Sequence, residues 1–310
     1  MPQPLVVAVV GPTATGKSDL ALELAELLGG EVVNADASQL YRGMDIGTAK
    51  VPPSQRRGIP HHQLDVLDVT AEASVAAYQA SARADIAAVQ ARGAHPILVG
   101  GSGLYVRAAL DRLDIPPTDP VVRARLDQEA ELLGTPRLFA RLTDADPQAA
   151  SAIEPRNTRR IVRALEVIEL TGRPFSASMP TRQLVQPAVI VGLRLARPTL
   201  DERIEARVVR MWADGLLDEA RELEGRGLRQ GRTASRALGY AQALAQLDGT
   251  MTQAQAQEQT AALTRRFARR QESWFAPDPR ICWIDAQSDD RRHHAQAVIE
   301  AAIRDNGDHD

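Results

Sequence analysis

The segment Leu5–Ser18 (LVVAVVGPTATGKS) decides the fold of this chain. Leu5–Val10 is a continuous apolar run rich in valine, which is typical of a strand buried in a parallel sheet. Gly11–Ser18, the phosphate loop, matches the pattern G-x-x-x-x-G-K-[ST]. Asp19–Leu28 then carries apolar residues at helical spacing, so strand, loop and helix follow in the order that this motif requires. The segment therefore predicts a parallel α/β fold whose first loop binds a phosphate group.

The alternation of strands and helices continues on both sides of the chain's middle. Further predicted strands are Glu31–Asn34, Ile97–Val99, Ala188–Leu195 and Ile281–Ile284. Predicted helices outside the middle are Glu72–Arg92, Leu200–Arg226 and Thr252–Phe275. Strands that alternate with helices in this way predict a parallel sheet covered by helices. The polar segment from Ser288 onward is predicted to fray.

The middle of the chain has a different pattern. Four predicted helices follow one another there with no strand between them: Val121–Leu133, Pro136–Leu142, Pro147–Ile153 and Asn157–Thr171. We therefore predict an α/β fold, a P-loop parallel sheet covered by helices, with an all-helical insertion domain. The catalytic core is assigned to residues 1–115 and 187–310, and the insertion to residues 116–186.

Composition excludes several classes of protein. The chain has 310 residues, 44% hydrophobic and 25% charged, which is ordinary for a globular protein. Its single cysteine, Cys282, forms no internal disulfide and builds no zinc site alone, so we expect a reducing compartment, the cytoplasm. No apolar run reaches the roughly 20 residues of a membrane helix. Met1–Val10 has no basic region, so we also expect no signal peptide.

The distribution of charge is more informative than the net charge of −3. Lys17 and Lys50 are the only lysines, so nearly all basic residues are arginines, whose planar fork suits phosphate groups. Between Arg156 and Arg210, eleven arginines stand against five acidic residues. This local excess predicts a face that binds a polyanion. For Arg159, Arg160 and Arg163, a solvated helix surface is the preferred interpretation from the residues alone.

The phosphate loop predicts which groups meet the anion. Its backbone N–H groups and the following helix N-terminus attract phosphate, Lys17 reaches the phosphates, and the Ser18 hydroxyl can bind Mg²⁺. A hydrolytic enzyme also needs an acid at the end of a strand, but Val99 is followed by Gly-Gly-Ser. The nearest such acid is Asp36, for which a helix N-cap is an alternative role. The loop thus predicts phosphate binding more strongly than hydrolysis, and a P-loop small-molecule kinase remains an alternative.

Six motifs, in order, resemble those of the tRNA dimethylallyltransferases, also called tRNA isopentenyltransferases. They are GPTATGKS (11–18), DASQLYRGMDIGTAK (36–50), GGSGLY (100–105), RRIVRALEV (159–167), RALGY (236–240) and RRFARRQESWF (265–275). The resemblance spans the chain from about Val7 to Phe275. It implies transfer of a dimethylallyl group from dimethylallyl diphosphate to N6 of adenosine 37, beside the tRNA anticodon, with Mg²⁺ assisting the release of diphosphate.

The resemblance also implies roles for individual residues. Its catalytic residues are Asp36, Thr13, Lys17 and Arg207, with Asp36 as the general base. Its diphosphate-binding residues are Gly11, Pro12, Thr13, Ala14, Thr15, Gly16, Lys17 and Ser18, of which Ser18 would bind the metal. Arg207 has a solvated helix arginine as its alternative reading.

The tRNA contacts implied by the resemblance are spread over the chain. They are Asp36, Ala37, Ser38, Gln39, Ser102, Arg123, Arg159, Arg160, Ile161, Val162, Arg163, Arg236, Gly239, Tyr240, Arg269, Arg270 and Gln271. The chain departs from the family's pattern at Ser102, where Thr is usual, at Ala241, where a basic residue is usual, and at Arg269, where Lys is common. These departures concern the affinity for tRNA rather than the leaving-group site.

The expected partners are tRNA and dimethylallyl diphosphate, with no membrane and no obligate protein partner, so we expect a monomer. An adenylate isopentenyltransferase is an alternative, but a mononucleotide acceptor needs no arginine-rich helical insertion. A tRNA-binding protein without catalysis is a second alternative, against which Lys17 and Asp36 argue. The pair His61–His62 predicts a turn rather than a metal site, since no cysteine or third histidine is near.

Overall fold

A computed structural model of the chain describes residues 3–178 and 182–307. Its sheet has six strands within these residues, and every paired strand is parallel. The strands are β1 (Val6–Val10), β2 (Glu31–Asn34), β3 (His61–His62), β4 (Pro96–Gly100), β5 (Ala188–Arg194) and β6 (Ile281–Asp285). Their order across the sheet is β3-β2-β4-β1-β5-β6. The predicted fold class, a parallel sheet covered by helices, is confirmed.

The helices account for most of the remaining described residues. They are α1 (Lys17–Leu28), α2 (Val75–Ala91), α3 (Gly103–Leu110), α4 (Pro120–Leu133), α5 (Thr135–Ala145), α6 (Pro147–Ala152), α7 (Thr158–Thr171), α8 (Arg197–Ala213), α9 (Leu216–Gly225), α10 (Tyr240–Leu247), α11 (Gln253–Phe275) and α12 (Arg291–Gly307). No helix within residues 3–178 and 182–307 combines the length and the apolar composition that crossing a bilayer requires.

The chain forms two compact units. The first, the α/β unit, contains residues 1–110 and 184–310, and the second, the helical unit, contains residues 111–183. The boundaries predicted from the sequence are 115/116 and 186/187. Within the described part of the helical unit, the α-helices α4 to α7 pack around buried Leu126, Leu142 and Ile161.

The apolar strands of the α/β unit are buried because helices cover the sheet. The side chains of β1 are fully buried, and Val7 and Val9 pack with Leu20 and Leu24 of α1. In a parallel sheet all carboxyl ends meet at one edge, where α/β proteins bind their ligands. The register pairs Val10 of β1 with Gly100 of β4. The loops that follow β1, β2 and β4 therefore lie side by side.

Three local predictions are wrong. The predicted helix Leu200–Arg226 is two helices, α8 and α9, because Gly215 takes a φ of 101°, a left-handed conformation that glycine tolerates best. The segment after Ser288 does not fray but forms α12, whose Ala295 and Ile299 are fully buried in the core. His61–His62 is not a turn, since it pairs with β2 as the edge strand β3.

Candidate active site

The phosphate loop folds back on itself at the start of α1. The Lys17 ammonium donates to the Pro12 carbonyl at 2.7 Å, and the Thr15 hydroxyl donates to the same oxygen at 2.9 Å. Lys17 is buried, and burial lowers its pKa to about 8. The negative charge of Asp36 opposes this shift, and the positive charge of Arg207 adds to it. An anion bound here would relieve the cost of burying this cation.

Gln271, on α11, fastens the phosphate loop to the loop after β4. Its carboxamide oxygen accepts from the Thr13 N–H at 2.8 Å, and its carboxamide nitrogen donates to the Gly101 carbonyl at 2.9 Å. A Cβ at Gly101 would lie 2.1 Å from that nitrogen, so a larger residue there would displace the Gln271 carboxamide from this position. The Gln271 side chain is buried and shapes the phosphate loop, and the predicted contact of this residue with tRNA stays a prediction.

Asp36 follows β2 at the same edge of the sheet. The Ser102 hydroxyl donates to the Asp36 carboxylate at 3.0 Å and accepts from the Ala37 N–H at 3.2 Å. The side chain of Asn34 accepts from the Asp36 N–H at 2.9 Å. Asp36 precedes the 3-10 turn Ala37–Leu40, but its side chain makes no capping hydrogen bond, so the alternative N-cap role is not realised. The hydroxyl retained at Ser102 orients the carboxylate instead.

Arg207, on α8, reaches toward the phosphate loop. Its guanidinium donates to the Thr13 hydroxyl at 3.0 Å and to the Thr48 carbonyl at 3.4 Å. Its Nε is buried and has no hydrogen-bond partner among the described residues. Burial lowers the pKa of Arg207; the charge of Asp36 opposes the shift and Arg210 adds to it. A solvated helix arginine, the alternative considered from the sequence, does not match this position.

These elements enclose a cavity of about 390 Å³. Its lining residues are Thr13, Ala14, Gly16, Lys17, Ser18, Asp19, Asp36, Gln39, Thr48, Ala49, Val99, Gly100, Arg203, Arg207 and Arg210. All four predicted catalytic residues lie on this one cavity. Four basic side chains against two acidic ones give it an excess of positive charge, which suits a polyanionic ligand.

The side chains that line the cavity show whether a magnesium ion would fit there. The described residues contain no cluster of three or more His, Cys, Asp or Glu that could hold a metal by themselves. Mg²⁺ bound to phosphate groups needs only one or two protein oxygens, because phosphate oxygens and waters complete its shell. The Ser18 hydroxyl lies on the cavity together with the carboxylates of Asp19 and Asp36. The donor set therefore fits a metal carried by a diphosphate, not a metal caged by protein alone.

The remaining predicted tRNA contacts of the α/β unit fall into two groups, residues that are exposed or line the cavity and residues that are buried. Asp36 and Gln39 line the cavity, with Ala37 and Ser38 between them partly exposed, and Arg236, Arg269 and Arg270 are exposed. Gly239 and Tyr240 are buried. The Tyr240 ring is in the core and its hydroxyl donates to Glu219, so the side chain has a structural role, and the contact of this residue with tRNA stays a prediction.

The helical unit shows the same division. Arg159 and Arg160 are exposed at the start of α7. Ile161 and Val162 are fully buried and form part of the core of this unit, and the contact of this segment with tRNA stays a prediction.

Arg123 and Arg163 are engaged within the helical unit itself. Both pair with the fully buried carboxylate of Glu166, and Arg163 also donates to the Pro117 carbonyl at 2.9 Å and the Pro116 carbonyl at 2.7 Å. Burial raises the pKa of Glu166, but these arginines and the Asp119 N–H overcome that effect and lower it. The structure thus places Arg123 and Arg163 in an ion-pair cluster within the helical unit, with both side chains still partly exposed. Their contact with tRNA stays a prediction.

Sequence reasoning missed several residues of the cavity. Thr48, Ala49, Arg203 and Arg210 line it, and the first two belong to the motif 36–50 without having been singled out. Arg203 and Arg210 lie one turn before and almost one turn after Arg207 on α8, so helical spacing around Arg207 was the signal that could have found them.

The comparisons with known proteins agree with one another. The sequence profile of the family described as IPP transferase matches residues 39–278. A tRNA dimethylallyltransferase of Kineococcus radiotolerans is 61% identical over 309 residues, covering 97% of this chain and 98% of the relative. A tRNA dimethylallyltransferase of Streptomyces coelicolor is also 61% identical, covering 98% of this chain and 97% of the relative.

Solved structures give the same result. The full-length tRNA isopentenylpyrophosphate transferase from Bacillus halodurans matches with a TM-score of 0.72 and 37% identity, covering 99% of each chain. A eukaryotic dimethylallyltransferase, described from crystallographic snapshots of its action on tRNA, matches with a TM-score of 0.82 and 26% identity, covering 98% of this chain and 80% of that one.

Proposed function

Because the chain belongs to the IPP transferase family, we propose that it takes a dimethylallyl group from dimethylallyl diphosphate and places it on N6 of adenosine 37 in tRNA. The chain is a prenyl transferase that acts on tRNA, as its relatives are. The donor, the metal and the roles of single residues are the parts that we propose. The kinase and the adenylate isopentenyltransferase considered from the sequence are not retained, since the relatives transfer dimethylallyl groups to tRNA.

One observation carries the proposal: Lys17, Arg207, Ser18 and Asp36 share one cavity. In the transfer, the bond between the allylic carbon and the diphosphate oxygen breaks, and its electron pair leaves with the diphosphate. Positive groups fixed in a buried site stabilise charge that develops there better than water does. Lys17, the N–H groups of the phosphate loop and the otherwise unpartnered Nε of Arg207 are suited to this task.

Asp36 is suited to the acceptor side of the reaction. An exocyclic amine is a poor nucleophile. A carboxylate lowers the activation barrier in two ways: it accepts one N6 proton, and it orients the lone pair toward the allylic carbon. The hydrogen bond from Ser102 fixes the orientation of this carboxylate. Adenosine 37 must leave its stack to reach it, which costs a few kcal/mol that contacts between protein and tRNA must offset.

Ser18 would hold Mg²⁺ together with oxygens of the diphosphate. When bound, the metal neutralises charge on the leaving group. The residues of this chain supply what the metal does not: Lys17 and Arg207 hold the diphosphate in place, and Gln271 fixes the phosphate loop by accepting the Thr13 N–H.

The proposal is tested with purified protein, unmodified tRNA and labelled dimethylallyl diphosphate. Mass spectrometry of the digested tRNA is expected to show N6-dimethylallyladenosine at position 37, dependent on Mg²⁺. Parallel reactions contain AMP as acceptor or ATP as donor, and they are expected to give no product. Label on AMP but not on tRNA would contradict the proposal, as would label at another nucleoside.

We also propose that the active species is a monomer in the cytoplasm, as expected from the sequence. All four proposed catalytic side chains lie on one cavity of this chain, which supports the proposal. Light scattering of the protein during turnover is expected to give the mass of one chain.

A further inference from the structure

A carboxylate outside the cavity binds the turn 45–47. The two residues that follow this turn line the cavity. Glu219, on α9, accepts from the N–H groups of Asp45 at 3.2 Å, Ile46 at 2.9 Å and Gly47 at 3.4 Å. It also accepts from the Tyr240 hydroxyl at 2.5 Å. Three successive backbone donors that converge on one carboxylate fix the conformation of a turn strongly, because hydrogen bonds to an ionised acceptor are about twice as strong as neutral ones.

Tyr240 completes this arrangement from the other side. It is fully buried, and a Cβ at Gly47 would lie 2.5 Å from its ring, so the turn packs directly on the aromatic face. Burial, and next the charge of Glu219, raise the pKa of Tyr240 far above its ordinary value. This shift favours the protonated hydroxyl, which is the form that donates to Glu219.

The turn leads directly into two residues of the cavity, Thr48 and Ala49. The Thr48 carbonyl accepts from the Gln39 side chain at 3.1 Å and from the Arg207 guanidinium at 3.4 Å. The other hydrogen bond of that guanidinium goes to the Thr13 hydroxyl. One of the two contacts that orient Arg207 thus depends on where the turn 45–47 is held.

We propose that Glu219 and Tyr240 are positioning residues for the leaving-group site: they hold the turn 45–47 so that the Thr48 carbonyl aims the Arg207 guanidinium at the diphosphate. The inference rests on the proposed function, in which Arg207 binds that group. It gives Tyr240 a structural role behind the donor site, outside the cavity itself. Neither residue touches the reacting atoms, and both act through Arg207.

Two conservative variants test the proposal. Glu219→Gln keeps the shape but replaces a charged acceptor by a neutral one, and Tyr240→Phe keeps the ring against Gly47 but removes the hydroxyl. We expect the Kd for inorganic diphosphate, and the KM for dimethylallyl diphosphate, to rise about tenfold in Glu219→Gln and about threefold in Tyr240→Phe, because small displacements of a binding group are costly. The Kd for tRNA should not change. Glu222→Gln, an exposed position on the same helix, is the matched control and should behave as wild type.

A double-mutant cycle separates positioning from a general loss of structure. In the Arg207→Ala background, Glu219→Gln should cause no further loss of diphosphate affinity, since coupled residues show non-additive effects. Additive losses would overturn the proposal, and so would wild-type affinity in both single variants. If Glu219→Gln does not fold, the Tyr240→Phe cycle decides alone. Diphosphate binding is measured without tRNA, so failure of wild-type transfer would contradict the proposed function and leave this test intact.

Discussion

Arginine serves two different purposes in the two units of this chain. In the helical unit, Arg123 and Arg163 both pair with the buried carboxylate of Glu166, which offsets one of their two positive charges. In the α/β unit, Arg207 lies with Lys17 in a cavity where basic groups outnumber acidic ones, and its Nε lacks a partner among the described residues. Both arginines of the helical unit already have a carboxylate partner, whereas the site around Arg207 favours a bound anion.

The contrast shows why a local count of charge is a poor guide to a binding site. The excess of arginine between Arg156 and Arg210 comprises residues of both kinds, along with exposed ones such as Arg159. What distinguishes them is whether a nearby carboxylate already satisfies the guanidinium. Changing a carboxylate or a basic side chain in each unit should therefore affect different properties: catalysis, stability or RNA binding.

Replacing a carboxylate by a carboxamide in the α/β unit should have the largest effect. Asp36→Asn keeps an oxygen for the Ser102 hydroxyl but cannot accept the N6 proton. We expect single-turnover transfer to fall about 10³-fold, because a positioned general base contributes about 10² to 10⁴ in rate. The Kd for tRNA should remain near that of wild type. Transfer at the wild-type rate would remove Asp36 from the role of base.

The same chemical change in the helical unit should affect stability and not chemistry. Glu166→Gln leaves Arg123 and Arg163 without their charged partner in a buried site. We expect a loss of about 3 kcal/mol in the stability of this unit, measured by urea denaturation and limited proteolysis, with kcat unchanged at low temperature.

Glu169→Gln is the control for this prediction. Glu169 pairs with Arg125, but both side chains are well exposed, so the loss should be under about 1 kcal/mol. Equal destabilisation by the two variants would mean that burial of Glu166 is not what makes its ion pairs matter.

The burial of Lys17 predicts a pH dependence of donor binding. Burial lowers its pKa to about 8 in the free protein, and a bound diphosphate favours the protonated form. The affinity for dimethylallyl diphosphate, measured without tRNA, should therefore be insensitive to this group below about pH 8. Above that pH it should fall by at most about tenfold per pH unit.

Lys17→Arg provides the comparison for the pH profile, because a guanidinium remains protonated throughout this range. Its affinity for the donor should be lower than that of wild type but flat between about pH 8 and about pH 10. A wild-type profile equally flat would show that Lys17 does not titrate in the free protein.

The sequence predicted the site well where local pattern and chemistry coincide. Lys17, Thr13 and Asp36 all lie on one cavity, because the motif that names them also specifies the strand and the loop that carry them. Their catalytic roles remain predictions. Arg207, far away in the sequence, could be found only by resemblance, since its position depends on how α8 packs against the phosphate loop.

Two of the wrong predictions, the fraying tail and the turn at His61–His62, share a physical cause: both elements depend on contacts distant in sequence. The segment after Ser288 is polar overall, and only its packing against the sheet buries Ala295 and Ile299 and stabilises α12. The strand β3 exists because β2 pairs with it. The burial of Ile161 and Val162 is different, because their apolar character within α7 already indicated a core face that membership in a motif obscured.

The smallest predicted effect distinguishes exposed arginines from paired ones in the helical unit. The side chains of Arg159 and Arg160 are exposed and have no ion-pair partner among the described residues, whereas Arg125 is held by Glu129 and Glu169. If Arg159 and Arg160 contact tRNA phosphates, changing either to alanine should weaken tRNA binding a few-fold and reduce the slope of log Kd against log salt by about one. Arg125→Ala should leave that slope unchanged, because its charge is already neutralised within the unit. Equal slopes in all three variants and wild type would mean that exposure alone does not create an RNA contact here, and that the tRNA-binding charge lies on the exposed arginines of the α/β unit.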